Sequence, residues 1–206
     1  MASYELEVIT PILGGLNKEV FSFRVFAKMD MKDFKILEHK IVLTEEDIAK
    51  YKDLFEKMDR DSALKEVYKI KKKELEKPLL DDGYIKIDYL FPRKHADIGK
   101  IKTYEDYLSW IDWWSYFIRP LRYAVKYDGG ADFILTDVKP ENISLMLYAN
   151  YNSKTKSPVI LEAITDGSRF LIEAQSDLNE EITIKIGRGR NLGYGVCKLR
   201  PVNNKR

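Results

Sequence analysis

The sequence has a single cysteine, Cys197, a single glutamine, Gln175, and two histidines, His39 and His95. One thiol excludes an intramolecular disulfide and a cysteine-rich zinc site, and points to a reducing compartment. Two widely spaced histidines offer no metal-ligand spacing, so neither a metal nor another cofactor is expected. No apolar run approaches the roughly 20 residues that a membrane helix needs. The stretch from Met1 to Glu7 has neither the basic segment nor the apolar run of a signal peptide. A soluble, cytoplasmic protein with no membrane partner is the expectation. Charge of one sign is also lacking: 35 basic side chains face 33 acidic ones, so only local clustering can argue for a polyanionic partner. Scarce glutamine beside abundant Lys, Glu, Tyr and Ile suits a heat-adapted source.

What is present is a chain of 206 residues, 45% hydrophobic, long enough to bury one large core as a single domain over 1–206. Tyr4, Leu6 and Val8 alternate with Glu5 and Glu7 as a strand that stops at Thr10-Pro11 and turns at Gly14-Gly15. Strands are expected over Val20–Lys28 and Phe34–Leu43. Thr44 and the acids after it open a helix over Glu45–Met58. A second helix runs from Ser62 to Lys77 and ends at Pro78; its lysines 69 and 71–73 alternate with acids and read as a solvated face. Tyr84–Phe91 reads as a strand. Tyr104–Tyr127 reads as one long helix, with Leu108, Ile111, Trp114, Ile118 and Leu121 as its apolar stripe and Pro120 as a bend or break. Its tryptophans are expected in the core. From Ala131 onward six short strands follow, separated by turns at Lys139-Pro140-Glu141, Asn152-Ser153-Lys154 and Asp166-Gly167 and by a glycine-rich loop.

That loop is where chemistry is most legible. Gly187-Arg188-Gly189-Arg190-Asn191-Leu192-Gly193-Tyr194-Gly195 is spaced G-x-G-x-x-x-G-x-G, and it lies between strands. The context excludes the dinucleotide and P-loop fingerprints, which open helices. Its glycines permit positive φ and close approach of amide groups to a ligand. Arg188 and Arg190 carry guanidinium forks suited to phosphate oxygens, and Tyr194 offers a ring on which a base can stack. From Lys185 to Arg206 there are seven basic residues and no acid, which adds Lys198 and Arg200 to the candidate RNA-binding set of Gly187, Arg188, Gly189, Arg190, Asn191, Gly193, Tyr194 and Gly195.

This loop, after Ile184-Lys185-Ile186 and before Val196, resembles the glycine-rich loop of the RAMP superfamily of CRISPR-associated proteins. Leu6 to Gly15 is similar to that family's opening strand with its Thr-Pro and glycines. Leu161-Glu162-Ala163-Ile164 with Asp166-Gly167-Ser168-Arg169-Phe170 is similar to its late hairpin. The three segments come in the family's order and cover about a quarter of the chain. The segment after Gly15 departs from the pattern, and no second helix is readable between Phe170 and the loop. The resemblance implies an α+β, ferredoxin-like (RRM-type) antiparallel sheet with helices packed on it and insertions. It also implies a guide-RNA-binding subunit that works with other protein subunits of an antiviral ribonucleoprotein.

Two enzymatic alternatives stand beside it. Some RAMP relatives cut precursor guide RNA with a histidine, which would make His39 or His95 a general base. Asp137-Val138-Lys139-Pro140-Glu141-Asn142 looks like a kinase catalytic loop, but Leu135-Thr136 replaces the expected His-Arg and no Asp-Phe-Gly follows. It is read as a turn. No catalytic set emerges, and a structural interaction subunit without RNA contact is the remaining alternative.

Overall fold

A computed structural model describes residues 1–15, 23–30, 33–40, 43–94, 100, 102–129, 132–152, 157–176 and 178–202. The fold is mixed α+β, and the strand pairs whose register is described run antiparallel. It divides into two compact units, Met1–Lys18 with Ile87–Arg206, and Glu19–Lys86.

The first unit is built on β1 (Ala2–Val8). The alternation read from Tyr4, Leu6 and Val8 buries those three side chains on one face. A two-residue strand, β2 (Ile12–Leu13), follows β1.

In the second unit, β3 (Phe23–Asp30) and β4 (Asp33–Lys40) form a hairpin with Phe23 opposite Lys40 and Asp30 opposite Asp33. The single helix expected over 45–58 is two, α1 (Glu45–Lys50) and α2 (Lys52–Lys57), broken at Tyr51, whose φ of −108° and ψ of 29° leave the helical region. Thr44 caps α1 in a capping box with Asp47, and Asp47 also pairs with Lys71. α3 (Arg60–Asp81) is capped by Asp59 and continues through Pro78, one turn past the expected stop. Of the lysines expected on a solvated face, Lys69, paired with Glu66, and Lys73 are exposed, whereas Lys71 and Lys72 are half-buried, Lys72 against Glu76. β5 (Ile85–Ile87) extends the hairpin on its β3 edge.

The rest of the first unit supplies helices and the main sheet. The stretch 104–127 is two helices, α4 (Tyr104–Trp110) and α5 (Trp113–Tyr127). The break falls at Asp112, which caps α5 through the Ser115 amide at 3.1 Å, and α5 then runs straight through Pro120. Restarting there shifts the buried stripe to Trp113, Phe117, Leu121 and Val125. Trp110 and Trp113 are buried as expected, whereas Trp114 is 43% exposed.

Next come β6 (Ile134–Asn142), β7 (Leu145–Asn152), β8 (Ser157–Ile164), β9 (Arg169–Gln175), β10 (Ile182–Lys185) and β11 (Val196–Pro201). Five strands form one sheet in the order β10-β11-β1-β9-β6. β1 sits at its centre, with Leu6 opposite Leu199 on one side and Phe170 on the other. A second sheet has the order β2-β8-β7. Asp137–Asn142, read as a turn from sequence, is strand: β6 is an edge, where proline is tolerated, and the pairing slips next to Pro140 and Asn142. It therefore presents no catalytic loop.

α5 covers one face of the five-stranded sheet. Trp113 and Phe117 meet Phe170 edge-on at 5.1 and 4.9 Å. Each such buried ring is worth roughly 1.5–3 kcal/mol by removal from water. The opposite face carries charge in matched rows: Arg200 pairs with Glu5, Glu7 and Glu181, Lys198 with Glu181, and Lys139 with Glu173 and Asp137.

A buried polar group ties the start of this unit's helical part to β8. Arg93 donates through Nη2 to both Glu162 oxygens, at 2.9 and 2.8 Å, and to the Tyr107 hydroxyl. The Tyr107 hydroxyl donates to Glu162, and the Phe91 amide does so at 3.1 Å. Burial holds the Tyr107 phenol well above its ordinary pKa. Nearby, Gly14 donates its amide to the Glu162 carbonyl at 2.7 Å. A methyl group on Gly14 would stand 3.1 Å from backbone atoms of Tyr89 and Leu90.

Candidate nucleic-acid interface

All four loop glycines adopt positive φ: 87° at Gly187, 69° at Gly189, 90° at Gly193 and 72° at Gly195. They do different jobs. A methyl on Gly195 would lie 1.7 Å from the Ile186 carbonyl oxygen, across the Ile186 amide to Gly195 carbonyl bond at 2.8 Å. A methyl on Gly187 would lie 2.7 Å from the Leu13 carbonyl and 2.9 Å from the Tyr116 hydroxyl. Gly193 needs only its φ, with nothing within 4 Å.

The loop is framed by the turn that ends β1. Thr10 Oγ1 donates to the Gly193 carbonyl at 2.7 Å and accepts from the Val196 amide at 2.9 Å. The Gly195 amide donates to Pro11, and the Arg188 amide to Leu13. The third segment joins them, with the Gly167 amide donating to Val8 at 2.8 Å. The three stretches that carry the family resemblance thus meet at one end of β1. Two of the loop amides are committed to this frame and those of Leu192, Gly193 and Tyr194 bond within the loop, leaving those of Gly187, Gly189, Arg190 and Asn191 without an acceptor among the described residues.

The frame turns the arginines outward. Arg188 and Arg190 are exposed, and the Arg188 guanidinium carbon lies 4.0 Å above the Tyr89 ring centroid. The loop and β10 face α5 across a cleft of ≈ 1010 Å³ whose lining includes Lys185, Arg188, Arg190, Arg119 and Asp128. Among the described residues the four cations make no ion pair, and Asp128 is the one acid in the lining. Tyr116, Tyr123 and Tyr127 also line it. Tyr116 anchors the wall by donating to the Leu13 carbonyl at 2.8 Å, and burial raises its pKa. Tyr123 and Tyr127 are 69% and 84% exposed, with rings stacked at 6.2 Å.

Other members of the expected set lie apart from the cleft. Tyr194 is half-buried, edge-on to Tyr148 at 5.8 Å and packed on Leu13, Val159, Leu161 and Ala163; the Tyr148 hydroxyl beside it raises its pKa. Its ring is committed inward. Lys198 and Arg200 stand on the charged sheet face, held by acids. His39 is in β4, its backbone opposite Arg24, and His95 lies outside the described residues. Cys197 is fully buried, its thiol pushed up to about 12. No cluster of metal-ligating side chains occurs among the described residues, and none of their helices is long and apolar enough to cross a membrane.

The cleft residues outside the candidate set read from sequence are Lys185, Arg119, Tyr123 and Tyr127. The signal was there: Tyr116, Arg119, Tyr123 and Tyr127 recur at helical spacing beside the apolar stripe. Comparison with family models, with curated proteins and with solved structures finds no match for the chain.

Proposed function

We propose that this chain is an RNA-binding protein, and that guide RNA of a CRISPR-type ribonucleoprotein runs through the cleft between the glycine loop and α5. The observation that carries the reading is four cations facing one cleft, with no ion pair among the described residues and a single acid, Asp128, in the lining. Phosphate backbones are recognised by such clusters, with affinity that falls steeply with salt. The charged face of the five-stranded sheet already holds its own counter-charges and is a poor competitor.

The fold supports the RAMP reading at a coarser level. Leaving β10 aside, the order β11-β1-β9-β6, with α5 between β1 and β6 along the chain, supports a ferredoxin-like split βαβ arrangement. In chain order β10 comes where that arrangement has its second helix, but it joins the sheet as an edge strand beside β11.

The test is fluorescence anisotropy with labelled single-stranded RNA across a salt series. Arg188→Ala/Arg190→Ala should weaken binding and lower the log–log salt slope by roughly 0.7 for each phosphate that is no longer neutralised. Lys198→Ala should leave both nearly unchanged. Equal affinity and slope in the double-arginine variant would remove the cleft from consideration.

A further inference from the structure

Resting on that reading, we infer that the cleft takes single-stranded RNA, with its phosphates at the glycine-loop end and unstacked bases on the Tyr123–Tyr127 pair at the other. The two ends of the cleft differ in kind. At the loop end Arg188 and Arg190 lie near Tyr116 and the first turns of α5, and Gly15 and Gly187 keep the wall free of side chains. At the far end stand Tyr123, Tyr127 and Asp128. Asp128 caps the C-terminus of α5, where the helix dipole is also negative. Together they offset Lys126 in the same last turn, so that end draws phosphate less than the arginine end and offers neutral aromatic faces instead.

The tyrosines are placed for stacking. Their rings lie 16° from parallel and are largely exposed, so the outer faces are open to a flat partner. Base stacking on such rings is tolerant of sequence because every base has a π-face. A duplex hides its base faces and cannot use them. The stretch of α5 from Ser115 to Tyr127 is about 18 Å long at ~1.5 Å per residue, room for a polymer rather than one nucleotide. An acidic peptide would satisfy the cations but has no use for the tyrosines.

The experiment compares parent protein, Tyr123→Ala/Tyr127→Ala and Tyr123→Phe/Tyr127→Phe. The probes are oligouridylate, oligoadenylate, duplex RNA, inorganic polyphosphate and poly-glutamate. The double alanine variant should lose about 5- to 100-fold in affinity for both single strands and keep the parent's affinity for polyphosphate. The phenylalanine variant should match the parent on every probe. Unchanged binding of single strands by the alanine variant overturns the inference while leaving the RNA reading in place. So does an equal loss on polyphosphate, or duplex RNA bound as tightly as single strands. Poly-glutamate bound more tightly than single-stranded RNA, or no RNA binding by the parent, overturns both. Both tyrosines are exposed, and circular dichroism confirms the fold of each variant.

Discussion

Arg188 lies over the ring of Tyr89 with its guanidinium carbon 4.0 Å from the ring centroid, on a ring that itself packs against the apolar cluster of Leu13, Val159, Leu161 and Ala163. A cation in this position gains about 0.5–1 kcal/mol when exposed. It is also held in one orientation before any ligand arrives, which lowers the ordering cost of binding. Tyr89→Phe should therefore bind single-stranded RNA like the parent. Tyr89→Leu should weaken binding severalfold, and by less than Arg188→Ala. Titrations of the three variants decide it; a Tyr89→Leu variant indistinguishable from parent would mean that the stacking does not serve binding.

The glycines of the loop should separate sharply in their tolerance. Gly193→Ala meets open space and should cost only the left-handed backbone penalty of about 1–2 kcal/mol. Gly195→Ala drives a methyl into the Ile186 carbonyl and should cost more than about 3 kcal/mol, because backbone must move. Urea denaturation of both variants, with the slope checked for constancy, measures the difference.

Glu162 and Arg93 are nearly inaccessible, at 1% and 2%. Arg93 Nε and Nη1 are buried without a hydrogen-bond partner, so the carboxylate is its main compensation. Glu162→Gln should destabilise the fold by roughly 3–5 kcal/mol by leaving a buried charge uncompensated. Replacing both, as Arg93→Met/Glu162→Leu, should recover much of that loss. A double variant as unstable as Glu162→Gln would show that the packing around the pair, rather than its charge, is what matters.

In the second unit, hydrogen bonding to Lys71 and to Thr44 lowers the pKa of Asp47 from the usual 3.8 to about 2. A carboxylate whose pKa falls on folding stabilises above its unfolded value, and that contribution is lost as pH drops through the folded one. The gap in thermal midpoint between parent and Asp47→Asn should thus be full above pH ~4 and close as pH falls towards about 2. A gap that stays constant over this range would exclude the linkage.

The Cys197 thiol, buried and pushed up to about 12, should resist alkylating reagents at neutral pH and react only when the sheet opens. Its labelling rate in increasing urea should track unfolding followed by circular dichroism. Rapid labelling in native buffer would contradict its burial.

Much of the β structure was legible because alternation is a local signal: the patterns starting at Tyr4, Val159, Arg169 and Tyr194 each lie within two residues of the starts of β1, β8, β9 and β11. The loop glycines were legible too, since only positive φ explains so many so close together. What escaped depended on partners distant in sequence. Lys198 and Arg200 look like free cations along the chain, and only the register that sets them beside Glu5, Glu7 and Glu181 shows otherwise. Pro140 suggested a turn because nothing local says that β6 is an edge. The stacking tyrosines were lost to a phase error. One unbroken helix over 104–127 puts Trp114 and Ile118 inward, whereas the Asp112 cap restarts the count and turns Tyr123 and Tyr127 to the cleft.

Gly14 lies so close to Tyr89 and Leu90 that a methyl group there would touch their backbone. Within the first unit, the segment that precedes the second unit in the chain and the segment that follows it therefore touch. Along the chain, everything between is an excursion with neighbouring ends, the geometry in which one domain is tolerated inside another. Such a doorway lets evolution lengthen, shorten or exchange the intervening stretch, and lets an engineer splice it out with a short glycine–serine bridge, while the strands around β1 keep their register.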